Sequence, residues 1–403
     1  MRLGLLKNKK ENLFLGLDIG TEAVKASVFL KEKNSKILGY SCCYYQKYGT
    51  FDTKEFFKDL LKDAVLKAVK GACQNVALSE IPVALKDRIA KEKKWKVVLT
   101  LSPLHLKART VNVFFERKNQ EKALSAREER NIEENIFFQA RKKISDDFQR
   151  ETGILPAEIE WISLKTLRKK VDGYEISRLK GHKGKDLAFE IMAVFCPEYY
   201  FRKIKNILGE IDFKVVKTVH LAESLAGKES RLILDVGGEA TQGIFLQNGR
   251  PVSVFEFPKG GSEFTEKLSE DLGIDETTAR TLKERYGAGS LQKDTSAKMR
   301  SIFAPQRKVW YDEFKEKADN FHIVPSRIGF MGGGAEIQDI KNVLKESLAD
   351  EFQRSGLSYS AEIEKIYPSS IKNGLEILTK GINTAQASPL LCICSNPNLK
   401  NEQ

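Results

Sequence analysis

Hydrophobic and polar positions change period several times along the chain, and each change marks an element. Residues 1 to 12 form a short basic leader. From 13 to 45, short apolar runs broken by turn residues predict two or three strands. "FDTKEFFKDLLKDAVLKAVKGACQNV" (51 to 76) switches to helical spacing. Phe56, Leu60, Ala64 and Ala68 share a face, and Asp52 or Thr53 is the expected cap. Strands return over 95 to 117, and the charged stretch from 118 to 153 predicts a long helix. Strand, Asp-Gly turn, strand, basic turn and strand follow over 158 to 197. A helix is expected near 197 to 210, then a strand running into a short helix by 227. Further on come helices capped by Ser262 and Asp275, a helical region over roughly 295 to 320, and a strand, triple-glycine loop and helix from 327. The tail "ASPLLCICSNPNLKNEQ" predicts a short apolar strand and then polar residues.

Two stretches share one pattern. "FLGLDIGTEAVKASVFL" and "LILDVGGEATQGIFLQ" are each an apolar strand, Asp-x-Gly, a small polar residue and a second apolar strand. They stand about 217 positions apart, which implies two domains of related topology rather than a short-period repeat. Either hairpin alone is compatible with an ordinary Asp-Gly turn. A pair of them, with the glycines at 332 to 334, points to phosphate binding. Gly20, Gly237 and Gly238 let the backbone approach an anion and turn N–H groups toward it, and Thr21 adds a hydroxyl. Asp18 and Asp235 would repel phosphate directly. They make sense as holders of a hydrated Mg²⁺ placed between carboxylate and phosphate. Gly332, Gly333 and Gly334 lie between a strand and a helix, which offers close approach to a flat ring or a phosphate. No Walker-type G-x-x-x-x-G-K-[ST] and no G-x-G-x-x-G is present.

Composition narrows the class. The formal charge of +12 favours acidic partners such as nucleotides or anionic lipid, but the lysines are interleaved with acids as on a solvated surface, and no nucleic-acid partner is expected. The six cysteines form no C-x-x-C pair and no zinc spacing, so reduced cysteines in a cytoplasmic protein are expected. No secretory signal and no apolar run long enough to span a membrane is present.

The motifs "LDIGTEAVK" (17 to 25), "LDVGGEATQ" (234 to 242) and "GFMGGGAEI" (329 to 337) resemble, in order, the two phosphate motifs and the adenosine motif of the actin-like ATPase superfamily. Within it the chain is most similar to the FtsA/PilM group. "FEFPKGGSEFTEKL", with Gly260 and Gly261 before a helix, and "TARTLKERYG" are shared with both members. The resemblance implies an α/β, two-lobed actin-like fold of two ribonuclease-H-like domains with an FtsA-type inserted α+β subdomain. The leader is 1 to 12, the first lobe 13 to 94 and 186 to 227, the insertion 95 to 185, and the second lobe 228 to 403, its outer helices at 262 to 325. It implies ATP and Mg as cofactors, with Asp18, Gly20, Thr21, Lys25, Gly237, Gly238, Thr241, Gly260, Gly261, Lys283 and Gly332 to Gly334 toward nucleotide, and Asp18 and Asp235 toward Mg through water. Glu223, in "HLAESLAG", takes the place of the residue that orients the attacking water, with Asp235 beside it. A helix-surface Glu is the other reading of that position.

Three departures qualify this. Glu239 and Ala240 stand where the group has glycine and threonine, and a carboxylate there would oppose a γ-phosphate unless it turned away. Arg280 stands where an acid contacts ribose. The tail lacks a basic amphipathic helix. At most slow ATP turnover is expected.

The implied role is a division scaffold that self-associates into filaments and ties the FtsZ tail to the inner face of the cell membrane. The alternative is a PilM-like pilus scaffold that binds a peptide of an inner-membrane partner. A kinase of the same superfamily would need a second acid in a cleft motif, and none is evident. Peripheral membrane contact is expected at the leader, where Leu3, Leu5 and Leu6 neighbour Arg2, Lys7, Lys9 and Lys10. A disordered lysine-rich start is the plainer reading of the same residues.

Overall fold

The computed structural model describes residues 12–45, 54–225, 230–319, 326–354, 361–371, 374–396 and 399. The expected caps Asp52 and Thr53 and the leader residues 1 to 11 lie outside them.

β1 (Leu13–Ile19), β2 (Ala23–Lys31) and β3 (Ser35–Tyr44) form an antiparallel meander. β4 (Lys96–Leu101) then pairs parallel with β1. A parallel return needs a crossover, which α1 (Lys54–Asn75) and α2 (Val83–Ala90) supply. Every residue of β1 is buried, because strands flank it on both sides and both faces are covered, so it reads as an unbroken apolar run.

β5 (Lys107–Glu116), α3 (Ala126–Thr152), β6 (Ile159–Val171), β7 (Tyr174–Ile176) and β8 (Asp186–Pro197) form a separate four-stranded sheet with one long helix on it. The Ser125 side chain caps α3 by accepting from the Glu128 N–H, and Gly153 ends it at φ 77°. α4 (Glu198–Gly209) and β9 (Lys214–Thr218) lead back to the first sheet, where β9 pairs with β4.

The second lobe repeats the plan of the first. β10 (Arg231–Val236), β11 (Thr241–Gln247) and β12 (Arg250–Phe257) are antiparallel neighbours. After α5 (Ser262–Leu272), α6 (Glu276–Gly287) and α7 (Lys293–Asp319), β13 (Arg327–Met331) pairs parallel with β10. α8 (Gln338–Arg354) and β14 (Glu362–Lys365) complete this sheet, in the order β12-β11-β10-β13-β14. β15 (Leu375–Ile377) crosses back to pair with β3, and α9 (Ser388–Cys394) follows it. The largest hydrophobic cluster runs through both lobes, joining Leu15, Leu17 and Val28 to Ile233, Ile244 and Met331. The lobes therefore share a core beneath the cleft.

Five expectations change. The tail stretch around Leu390 is helix α9, not a strand. All seven of its residues are buried, and a segment buried all round carries no diagnostic period. Ser262 does not cap α5. The N-cap is Gly261, and the Ser262 hydroxyl donates to the Gly238 carbonyl at 2.9 Å. The short helix after β9 is a single 3-10 turn, Leu221–Glu223. The segment 95 to 185 does not coincide with the extra sheet, since β4 belongs to the first sheet and β8 runs on to Pro197. Likewise β15 carries the end of the chain back to the first sheet, out of the 228 to 403 lobe.

Candidate functional site: a cleft between two matched hairpins

The turns after β1 and β10 have the same construction. The Gly20 N–H donates to the Ala23 carbonyl at 3.0 Å, and the Gly237 N–H donates to the Ala240 carbonyl at 2.8 Å. The strand registers match as well. Asp18 lies opposite Lys25, and Asp235 lies opposite Gln242. Because directly opposed residues point to the same face of a sheet, each aspartate has a donor beside it. Lys25 Nζ stands 2.8 Å from Asp18 Oδ2, and Gln242 Nε2 donates to Asp235 Oδ2 at 3.1 Å.

The hairpins meet across the cleft, where the Glu239 N–H donates to Thr21 Oγ1 at 3.0 Å. Behind the second hairpin, the Gly261 and Ser262 N–H groups donate to the Gly237 and Gly238 carbonyls at 2.9 and 2.8 Å. A Cβ at Gly260 would collide with those same carbonyls, so glycine is required there for backbone contact.

Between the lobes lies a cavity of about 490 Å³. Of the residues expected to hold nucleotide or Mg²⁺, Asp18, Gly20, Thr21, Lys25, Asp235, Gly237, Gly238, Gly261, Lys283, Gly333 and Gly334 line it. Thr241, Gly260 and Gly332 support it from behind. The Thr241 hydroxyl donates to the Lys259 carbonyl at 2.7 Å and accepts from Trp310 Nε1 at 2.9 Å, so it is turned into the core. Gly332 has φ 89°, and a Cβ there would strike Asp235 Oδ1 and the Val236 carbonyl. Glu239 is not among the residues that line the cavity.

Glu223 is not brought to the cleft. Its carboxylate accepts from Ser163 Oγ at 2.9 Å and from the His220 N–H at 3.0 Å, and it pairs with Lys165 Nζ at 2.5 Å. With its side chain 3% exposed, it anchors β6 of the inserted sheet to the 3-10 turn. The water-orienting role expected of it has no geometric support. The alternative of a helix-surface Glu fails too, because the group is buried.

Electrostatics single out Asp235 and its cationic neighbours. Burial pushes the Asp235 carboxyl up to about 6. Lys25 opposes that rise, and Asp18 adds to it. Burial disfavours the Lys25 charge, but Asp18 and then Asp235 outweigh this and hold the ammonium above the usual lysine value. Lys283 is shifted down by burial. Its ammonium donates to the Gly261 carbonyl at 2.7 Å and to Thr265 Oγ1 at 2.6 Å.

Asp18 is paired with the Lys25 ammonium, Asp235 has only the neutral Gln242 amide as a donor beside it, and Gln242 Oε1 is buried without a partner. Hard oxygen ligands with spare negative charge, and an unpaired oxygen that could accept from a metal-bound water, suit Mg²⁺ shared with phosphates. Among the described residues no cluster of three or more His, Cys, Asp or Glu is placed to hold a metal without such help.

Tyr44, Gln242, Glu284 and Gln386 were missed in the sequence. Tyr44, at the end of β3, donates from its hydroxyl to Glu284 Oε1 on α6 at 2.8 Å and accepts from Gln386 Nε2 at 2.9 Å. The Arg280 guanidinium lies 4.5 Å over its ring. This cluster links β3 to α6 within the lining of the cavity. Gln242 could have been found from its match to Lys25 in the duplicated motif. Tyr44 carries no local signal.

Repeated meander, parallel return strand and facing hairpins define an α/β, two-lobed actin-like fold with an inserted α+β unit. No protein-family model and no curated protein matches the sequence. Among solved structures, the fold is similar to one described as "PilM-PilN type IV pilus biogenesis complex", at TM-score 0.62 and 16% identity, covering 95% of this chain and 98% of that one. Weaker likenesses are to the ethanolamine utilization protein EutJ from Carboxydothermus hydrogenoformans (TM-score 0.45, 12% identity, 95% and 89% covered) and to MreB5 of Spiroplasma citri bound to ADP (TM-score 0.43, 13% identity, 96% and 94% covered).

Proposed function

We propose that the protein is a nucleotide-binding, actin-like scaffold that captures a segment of another protein, in the manner of PilM with PilN in type IV pilus biogenesis. The observation that carries this reading is the near full-length match in fold to the PilM chain, together with a cleft whose lining holds both phosphate hairpins. ATP lies with its phosphates between the turns at Gly20 and Gly237, its adenosine toward Lys283 and Gly333, and Mg²⁺ near Asp18 and Asp235. Nucleotide acts by favouring one arrangement of the lobes over another. Turnover is slow, since Glu223 is committed elsewhere. Head-to-tail self-association of such lobes is open-ended and yields filaments. The chain works at the inner face of the cell membrane through its partner. Among the described residues no helix is long and apolar enough to cross a membrane.

The test is titration calorimetry of the full chain with two peptides, the cytoplasmic segment of a PilN-type protein and the FtsZ tail, each with and without Mg-ATP. Binding of the first, strengthened by ATP, is expected. Binding of the FtsZ tail alone would replace this reading with the division role. Binding of neither would refute the scaffold reading.

A further inference from the structure

Lys25 is already paired to one of the two carboxylates expected to hold the metal. It reaches from β2 to Asp18 on the neighbouring strand, 2.8 Å away, with the two side chains only 14% and 11% exposed. Asp235 lines the same cavity from the other lobe. Asp235 is in turn held by the Gln242 amide. Each carboxylate of the expected metal site therefore already has a donor from the adjacent strand. On the first-lobe side that donor is a full positive charge.

We infer that Lys25 is a tethered cation that occupies the metal position until nucleotide arrives, and so sets the order of binding: nucleotide first, divalent ion second. This rests on the nucleotide reading above and deepens it. A divalent ion entering alone meets an ammonium paired to the carboxylate it needs, in a site where burial weakens screening. A polyphosphate meets the opposite situation, a cation on a long flexible stem beside two glycine turns. Moving Lys25 from Asp18 to a phosphate oxygen keeps the lysine paired and frees the Asp18 carboxylate. Phosphate and freed carboxylates then form the oxygen set that Mg²⁺ takes. The equivalent residue of the second lobe, Gln242, is neutral and leaves one oxygen unpaired, so that side offers a metal-bound water a partner and no repulsion. The asymmetry between two otherwise matched hairpins thus has a use. One lobe carries the gate, and the other the waiting acceptor.

The experiment uses the full chain and Mn²⁺ as probe, read by loss of the free-ion paramagnetic resonance signal, with ATP binding in excess chelator measured by calorimetry. Wild-type protein is expected to take up no Mn²⁺ in the cleft without nucleotide, to bind ATP in chelator, and to take up one Mn²⁺ once ATP is present. Lys25→Met should bind Mn²⁺ alone about tenfold or more tighter than wild type, and should lose ATP binding in chelator. Asp18→Asn, which removes the ligand and leaves the lysine, should still bind ATP in chelator and should bind Mn²⁺ weakly even with ATP. Uptake of one Mn²⁺ by the nucleotide-free wild type, as tight as in Lys25→Met, overturns the ordering. So does ATP binding by wild type only when metal is present, which leaves the nucleotide reading intact. No ATP binding with or without metal overturns both.

Discussion

Glu256 on β12 is the most heavily invested acid between the inserted sheet and the second lobe. The Arg109 guanidinium grips it with two bonds of 2.8 and 2.7 Å, and Lys107 Nζ lies at 2.9 Å. Its side chain is 10% exposed. Burial alone would raise its pKa, but Arg109 and then Lys107 reverse this and hold the carboxyl down from 4.5 to about 2. That difference corresponds to about 3 kcal/mol of stability when the group is ionised. The folded value is the lower one. The contribution is therefore complete above pH 4.5 and is lost as pH falls toward 2, because the unfolded chain takes up a proton that the folded carboxylate refuses. Glu256→Gln keeps the shape but leaves two cations facing a neutral amide, which costs about 3 kcal/mol. Urea unfolding of wild type and variant at pH 7, 5, 4 and 3 tests it. The gap should be about 3 kcal/mol at pH 7, level down to about pH 4.5, and should close by about 1.4 kcal/mol per pH below that. A gap under about 1 kcal/mol at pH 7, or one equal at pH 7 and pH 3, refutes the reasoning.

Asp235→Asn should stabilise the nucleotide-free protein at pH 8 by up to about 3 kcal/mol, because the folded carboxyl titrates near 6 rather than 3.8 and its ionisation destabilises the fold as pH rises through that window. The same variant should weaken Mg-ATP binding about tenfold, and a variant that is neither more stable nor weaker in calorimetry would contradict the placement. Glu223→Ala should leave nucleotide affinity unchanged and lower stability by about 1–2 kcal/mol by releasing Ser163 and Lys165; a selective loss of turnover in a fully stable variant would restore its catalytic reading. Tyr44→Phe, which removes two bonds among the residues lining the cavity, should speed both entry and exit of a fluorescent ATP analogue about tenfold in stopped flow. Unchanged rates would show that the cavity opens elsewhere.

Much of the site was legible because it is local. Asp18, Gly20, Asp235 and Gly237 sit where an apolar run meets a turn, and that boundary appears in the order of residues. The repetition of one turn at two places announced two lobes before any contact was known. β1 and β10 read as strands because both faces are covered, leaving short unbroken apolar runs. The same rule hid α9, whose seven buried residues look alike whether coiled or extended. Periodicity reports which sides of an element meet water, so an element that meets none is silent.

Contacts far apart in the chain settled the rest. Thr241 and Gly332 belong to the right motifs yet face away from the cavity, since Trp310 claims the first and Asp235 crowds the second. Glu223 stands in a segment of the expected pattern, but the inserted strand β6 brings Ser163 and Lys165 onto its carboxylate. Tyr44 ends β3 as an ordinary aromatic and becomes part of the cleft only because α6 carries Glu284 to it, 240 residues along the chain. A residue's backbone conformation follows from its neighbours in sequence. The partner that claims its side chain is chosen by how sheets and helices pack, and for these residues packing chose partners that no local pattern names.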